Sequence, residues 1–161
     1  MTKINQKIIT VLTLSALVNA MPLNREFRST WVITWEYIGP SQSTTEIMTR
    51  IDEIMDNHAA ANMTAVLFQV RQSGTAYYES SYEPWGYYAG YGNPGIDPLE
   101  YAVNAAHERG LELHAWFNVF QTSSMHEGTP AEVHPEWICR DQDGDPMTSH
   151  RSVSPGLEDV R

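Results

Sequence analysis

A chain of 161 residues, 42% hydrophobic and 19% charged, carries enough apolar material for a folded core and too much for a disordered segment. Its formal net charge of −10 argues against a nucleic-acid partner, because phosphate-backbone binding depends on Lys and Arg neutralising phosphates. The single cysteine, Cys139, excludes an internal disulfide and, beside Trp137 and Ile138, reads as a small packed side chain.

At the N-terminus, Lys3 and Lys7 precede "IITVLTLSALV", an apolar run too short to span a bilayer comfortably. "VNA" follows, with small or apolar residues at the two positions a signal peptidase reads. This predicts a signal peptide over residues 1–20, cleaved after Ala20, with residues 21–161 as the exported domain. The expected location is the periplasm, cell envelope or extracellular space, without stable membrane insertion after cleavage; an uncleaved anchor is the alternative. Loss of the two lysines would take the net charge from −10 to −12.

"REFRSTWVITW", Arg25 to Trp35, is rich in β-branched and aromatic residues and reads as a strand ended by Gly39-Pro40. Ser43 or Thr44 then caps a helix in which Ile47, Ile51, Ile54, Met55 and His58 form one stripe. "AVLFQV", Ala65 to Val70, is a second strand, apolar almost throughout as in a sheet covered by helices. A long Gly-, Tyr- and Pro-rich segment runs from Arg71 to Asp97. Asp97 as N-cap, Pro98 in the first turn and Gly110 as stop then mark a second helix. "LELHAWF", Leu111 to Phe117, is a third strand; beyond Asn118 no regular element is evident, although "SVSPGLEDVR" reads as the approach to another helix.

Alternating strands and helices imply crossovers and a parallel sheet. Long loops after strands and short turns after helices are the asymmetry of a (β/α)₈ barrel, whose working loops follow the C-terminal ends of the strands. Such a barrel needs about 250 residues. The chain is therefore either a small open α/β domain or the front part of a longer protein.

Four blocks carry a family resemblance: "REFRSTWVITW", "FQVRQSGTAYYESSYEPW" (Phe68 to Trp85), "GIDPLEYAVNAAHERGLELHAWFN" (Gly95 to Asn118) and "SVSPGLEDVR" (Ser152 to Arg161). In order and spacing the chain resembles the glycosyl-hydrolase-like family 10, bacterial relatives of glycoside hydrolases. The resemblance implies an α/β fold of the TIM-barrel, (β/α)₈ type, of which this chain supplies about the first three βα units. It also implies that an acidic segment on the next strand supplies the catalytic carboxylates. The chain departs from the family pattern at Gln72, in place of a common proline, at Thr75, in place of a common aspartate, and at Val119, Phe120 and Gln121.

Glycoside hydrolysis uses two carboxyl groups, one held protonated and one ionised. Glu36 is the candidate for such a catalytic group or for a sugar contact, although its favoured reading is a solvated loop carboxylate. For Glu79 and Glu83 the solvated reading is stronger. The positions assigned to substrate binding are Trp35, Gln69, Arg71, His114, Trp116 and Asn118. Arg71 cannot act as an acid; it can hold a carboxylate or an anionic substituent, or else tie down the second loop. On the third strand His114 is expected deepest, bonded to a neighbouring strand, with Trp116 above it as an apolar face and Asn118 at the rim. Tyr77, Tyr78, Tyr82, Trp85, Tyr87, Tyr88 and Tyr91 suit either a carbohydrate cleft or the packing of the loop on itself.

His126, His134 and His150 lack the spacing of a helical metal site, and "DQDGD", Asp141 to Asp145, reads as a turn. No metal or cofactor is expected, and the expected partner is a glycan. The leading function is an exported glycoside hydrolase acting on a polysaccharide or cell-wall glycan. Its competitors are a non-catalytic carbohydrate-binding protein and a small secreted α/β structural protein.

Overall fold

The computed structural model describes residues 26–149 and 151–160; the signal-peptide segment, Arg25 and His150 lie outside the described residues. Strand β1 (Ser29–Val32) is followed by one helical turn, α1 (Thr34–Tyr37), and by the long helix α2 (Thr44–Ala60). Strand β2 (Ala65–Gln72) folds back into the two-residue β3 (Thr75–Ala76). A loop containing the 3₁₀ turn Tyr87–Ala89 leads to α3 (Pro98–Glu108) and β4 (Glu112–Phe117). A helical turn α4 (Pro130–Val133) and 3₁₀ turns at Pro135–Trp137 and Glu158–Val160 complete the chain.

Strand β2 is the centre of the sheet. It pairs in parallel with β1, Ser29 to Val32 opposite Ala65 to Phe68, and in parallel with β4, Ala65 opposite Glu112. Its outward residues Val66, Phe68 and Val70 join Val32 and Leu111 against Ile47, Ile51 and Met55 of α2 and Ala102, Ala105 and Ala106 of α3. Phe68 is fully buried and stacks on Tyr37 at 4.2 Å. Burying a side chain of this size contributes about 1.5–3 kcal/mol.

Each helix is closed by its own polar chemistry. Ser43 accepts from the Glu46 N–H while Glu46 accepts from the Ser43 N–H at 2.7 Å, a reciprocal capping box. Asp97 caps α3 by accepting from Leu99 at 2.9 Å and Glu100 at 3.1 Å. Its second oxygen accepts from the Glu79 N–H at 2.9 Å, so this cap also anchors the loop that precedes it.

Two elements differ from the sequence expectation. The first strand stops at Val32, because Ile33 opens a helical turn in which Glu36 caps the Ile33 N–H at 3.1 Å. Trp35 therefore stands on a helical turn and not at a strand end. The second difference is a hairpin. Gln72 pairs with Thr75 across Ser73 and Gly74, whose φ angles of 58° and 78° are the two left-handed values a type I′ turn requires. Beyond Asn118, isolated bridges between Gln121 and Ser152 and between Ile138 and Val153 fold the segment on itself.

Replacing Asp97 by Ala should lower stability by about 1–3 kcal/mol, since it orphans two helix donors and one loop donor. Asn at the same position should recover most of the loss. Urea unfolding midpoints of the three proteins check this.

Candidate functional site

The sheet face opposite the helices carries Trp31 from β1, Leu67, Gln69 and Arg71 from β2, and His114 and Trp116 from β4. Trp31 and Trp116 reach across β2 to meet edge-to-face at 4.7 Å. Trp31 stays 61% exposed, so among the described residues nothing covers the part of this face around Trp31 and His114, in contrast to the Gln69 end. That corrects the expectation for His114. Its side chain is 47% exposed, it bonds Glu112 of its own strand at 3.0 Å, and its ring meets Phe27 edge-on at 5.3 Å. Burial of His114 would require a further layer of side chains over the open face.

Gln69 is fully buried. Its Oε1 accepts from the Thr34 N–H at 3.3 Å and from the Thr34 hydroxyl at 3.4 Å, and its carbonyl accepts from the Tyr37 hydroxyl at 2.7 Å. Gln69 thus fixes α1 over the end of β2. The one proton of the Thr34 hydroxyl is shared with Gln72 Oε1, the nearer acceptor at 2.8 Å.

Between Gln69 and Arg71 the pairing with β4 slips by one residue, so that Arg71 stands opposite Phe117. Such a bulge re-aims the side chain that follows it. Arg71 Nε donates to Glu83 Oε2 at 2.7 Å, and its Nη2 donates to the other oxygen of the same carboxylate. Its Nη1 donates to the carbonyls of Asn118 and, at 2.9 Å, Val119. The ion pair is only 12% and 13% exposed on its two sides. Arg71 therefore ties the second loop to the exit of β4, and Glu83 is a buried partner and not a solvated loop carboxylate. Asn118 uses its amide on Gln121 Oε1 at 2.9 Å. Glu36 is exposed, caps α1, and does not line the cleft described next.

At the C-terminal end of β2 the hairpin and the loops enclose an open cleft of about 260 Å³. Gln72, Ser73 and Thr75 come from the hairpin, Tyr77, Tyr87, Tyr88 and Tyr91 from the second loop, and Ser123 and Ser124 from the segment after β4. Tyr87 is 57% exposed and stands edge-to-face on Tyr88 at 5.2 Å and on Tyr91 at 6.0 Å. Tyr91 stacks on His126 at 3.7 Å, and Trp35 leans on Tyr88 at 5.9 Å. Tyr77 is buried beneath them, and burial pushes its phenol up to about 12. A β-carbon on Gly86 would overlap the Tyr77 ring, so glycine is what lets that ring lie against the loop backbone.

Sequence reasoning placed the aromatic residues of this loop but not the hairpin that brings Gln72, Ser73 and Thr75 beneath them. The dipeptide Ser73-Gly74 was the available signal. Both hairpin departures from the family pattern, Gln72 and Thr75, line the cleft. Of the substrate-binding positions named above, Trp35 supports the cleft wall and Arg71 roots its loop. His114 and Trp116 stand on the open sheet face. Among the described residues no group of three or more His, Cys, Asp or Glu could hold a metal ion, and no helix is long and apolar enough to cross a membrane.

Arg71→Ala should cost about 3–5 kcal/mol, because it leaves the Glu83 charge buried alone. Lys should recover only part of this, since a single ammonium cannot span both the carboxylate and the two carbonyls; denaturant unfolding measures both. A second outcome concerns pH. The folded Tyr77 phenol sits above the ordinary 10.0, so the folded state holds its proton where the unfolded chain releases it. The Tyr77 contribution to stability is then complete below pH 10 and lost as pH rises toward 12. Burial raises Tyr37 well above the ordinary range too, in the same direction. Unfolding midpoints across that range should fall, and fall less in Tyr77→Phe.

The family model described as Glycosyl hydrolase-like 10 matches residues 26–156. Glycosyl hydrolase YngK of Bacillus subtilis (strain 168) is 31% identical over 147 residues, covering 80% of this chain and 28% of that protein. Glycosyl hydrolase DigH of Escherichia coli (strain K12) is 39% identical over 72 residues, 43% of this chain and 16% of its own length. The chain thus spans well under a third of the length of these relatives. In fold it is similar to a maltogenic alpha-amylase, AmyB, from Thermotoga neapolitana, with a TM-score of 0.53, 11% identity, and coverage of 83% of this chain and 33% of that one. A hypothetical protein from Ruminiclostridium thermocellum ATCC 27405 aligns with a TM-score of 0.52 and 13% identity over 80% of this chain and 62% of that one. By the extent of the family match, the chain belongs to the Glycosyl hydrolase-like 10 family.

Proposed function

We propose that the protein is an exported glycoside hydrolase that cleaves O-glycosidic bonds in a polysaccharide or cell-wall glycan. On this reading β1, β2 and β4, with their helices, are the first three βα units of a (β/α)₈ barrel. The observation that carries it is the position of the tyrosine-walled cleft. It lies at the C-terminal end of β2, on the side of the sheet where barrel enzymes place substrate. Tyrosine rings offer an apolar face and a hydrogen-bonding edge, the combination a sugar ring presents in reverse.

The two carboxyl groups of glycoside hydrolysis stand about 5 Å apart for retention and roughly 6.5–9.5 Å apart for inversion. Among the described residues no carboxylate lines the cleft, and Glu83 is consumed by Arg71. The reading therefore assigns the catalytic pair to later barrel strands and gives this part of the fold the task of holding substrate. The open face with Trp31, His114 and Trp116 becomes barrel interior once those strands close over it. The same lack of a carboxylate supports one alternative, a carbohydrate-binding protein without turnover.

Full-length protein incubated with a panel of bacterial cell-wall and storage glycans should release new reducing ends from at least one. Binding without release, by correctly folded protein, would favour the non-catalytic alternative. Neither binding nor release would end both readings.

A further inference from the structure

The cleft between the hairpin and the second loop has a chemical bias that the glycosidase reading does not require. Its lining contains amide, hydroxyl and phenol groups and no charged side chain. Two of its polar groups are only partly used by the protein. Gln72 commits its Oε1 to the Thr34 hydroxyl, which leaves its amide N–H groups as the free end; among the described residues none accepts from them. The Ser73 hydroxyl likewise has no partner among the described residues, whereas the Ser73 carbonyl accepts from the Ser124 N–H at 3.2 Å.

The wall is preorganised. Tyr87 presents half its surface, yet its ring is held by Tyr88 and Tyr91, and Tyr91 is itself clamped by the His126 stack. Among the described residues three non-glycine positions have left-handed backbone, and two of them, Ser73 at 58° and Tyr91 at 58°, line this cleft. Left-handed backbone is disfavoured for non-glycine residues, and such strain collects at ligand clamps. An ordering cost already met in the free protein leaves more of the contact energy for affinity. The rest of the chain adds a long-range bias: with a net charge of −10 its field opposes the approach of anions.

We infer that this cleft is a non-catalytic subsite for an uncharged glycosyl ring, with Tyr87 as its stacking face and Gln72 and Ser73 as its hydroxyl contacts. The assignment rests on the glycosidase reading for the choice of a carbohydrate ligand, and on the lining alone for the exclusion of uronic-acid and phosphorylated units. It makes Tyr87 a positioning residue, remote from bond cleavage.

The test is titration calorimetry of full-length protein with neutral tetrasaccharides of glucose and of N-acetylglucosamine, and with a galacturonate tetrasaccharide of equal length. Wild type should bind at least one neutral tetrasaccharide and bind the anionic one at least tenfold more weakly. Tyr87→Ala removes an exposed ring outside the core, so folding should survive, and neutral binding should weaken by about tenfold, a stacking contact's worth. Tyr82→Ala, 91% exposed and away from the cleft, should leave binding unchanged. Equal affinity for the anionic ligand, unchanged neutral binding in Tyr87→Ala, or no neutral binding by folded wild type would each overturn the subsite. Binding that depends on Tyr87 in a protein that hydrolyses nothing would keep the subsite and reject the hydrolase. Hydrolysis whose KM ignores Tyr87→Ala would do the reverse.

Discussion

A single guanidinium ties the loop that walls the cleft to the strands beneath it. Arg71 is buried at the end of the central strand, and a buried arginine cannot shed its charge, so every edge of its fork must find an acceptor. Glu83 takes one edge and the carbonyls leaving β4 take the other. The aromatic loop, the hairpin and the third parallel strand therefore meet at one planar group. The bulge at Val70 is what turns that group toward both.

The chain's acidity gains a structural sense from this arrangement. Several of its carboxylates occupy helix starts or ion pairs: Glu36, Glu46 and Asp97 as caps, Glu83 beneath Arg71, Asp52 and Asp56 against Arg109. Acids on helix N-termini meet unpaired N–H groups and the positive end of the dipole, which stabilises both partners. None of them lines the cleft, which is left to amides, hydroxyls and rings. The carboxylates and the cleft lining are thereby separated in space.

Much of the scaffold was legible from the sequence, because local spacing determines it. The stripe Ile47, Ile51, Ile54, Met55 and His58 is buried in α2, and Asp97, Pro98 and Gly110 bound α3 as their chemistry demands. The aromatic loop was legible as a composition. What escaped depends on partners distant in sequence. Nothing near Ile33 announces that Gln69, thirty-six positions on, will receive the Thr34 N–H and turn the chain into a helix. That Arg71 ties down the second loop was an open alternative, but its partner Glu83, twelve positions on, read as a solvated carboxylate because only the loop's path brings the two together. His114 alternates correctly along its strand, yet alternation says only which face a side chain takes, and that face is uncovered here.

The second loop departs from the end of β2 and returns at Asp97, and its main restraints are internal or lie at its two ends. Arg71 grips Glu83, Trp85 bridges Ala76, and Asp97 holds Glu79. Tyr77 enters the core shared by the helices and the sheet, with Tyr78, Tyr88 and Ala89 packed against it, and the rest of the loop stays outside that core. Outside those anchors the segment is a cassette: its length and exposed rings can change while the scaffold beneath keeps its packing. On the glycosidase reading, exchanging this one peptide between relatives is the shortest route to moving a ligand preference from one to another.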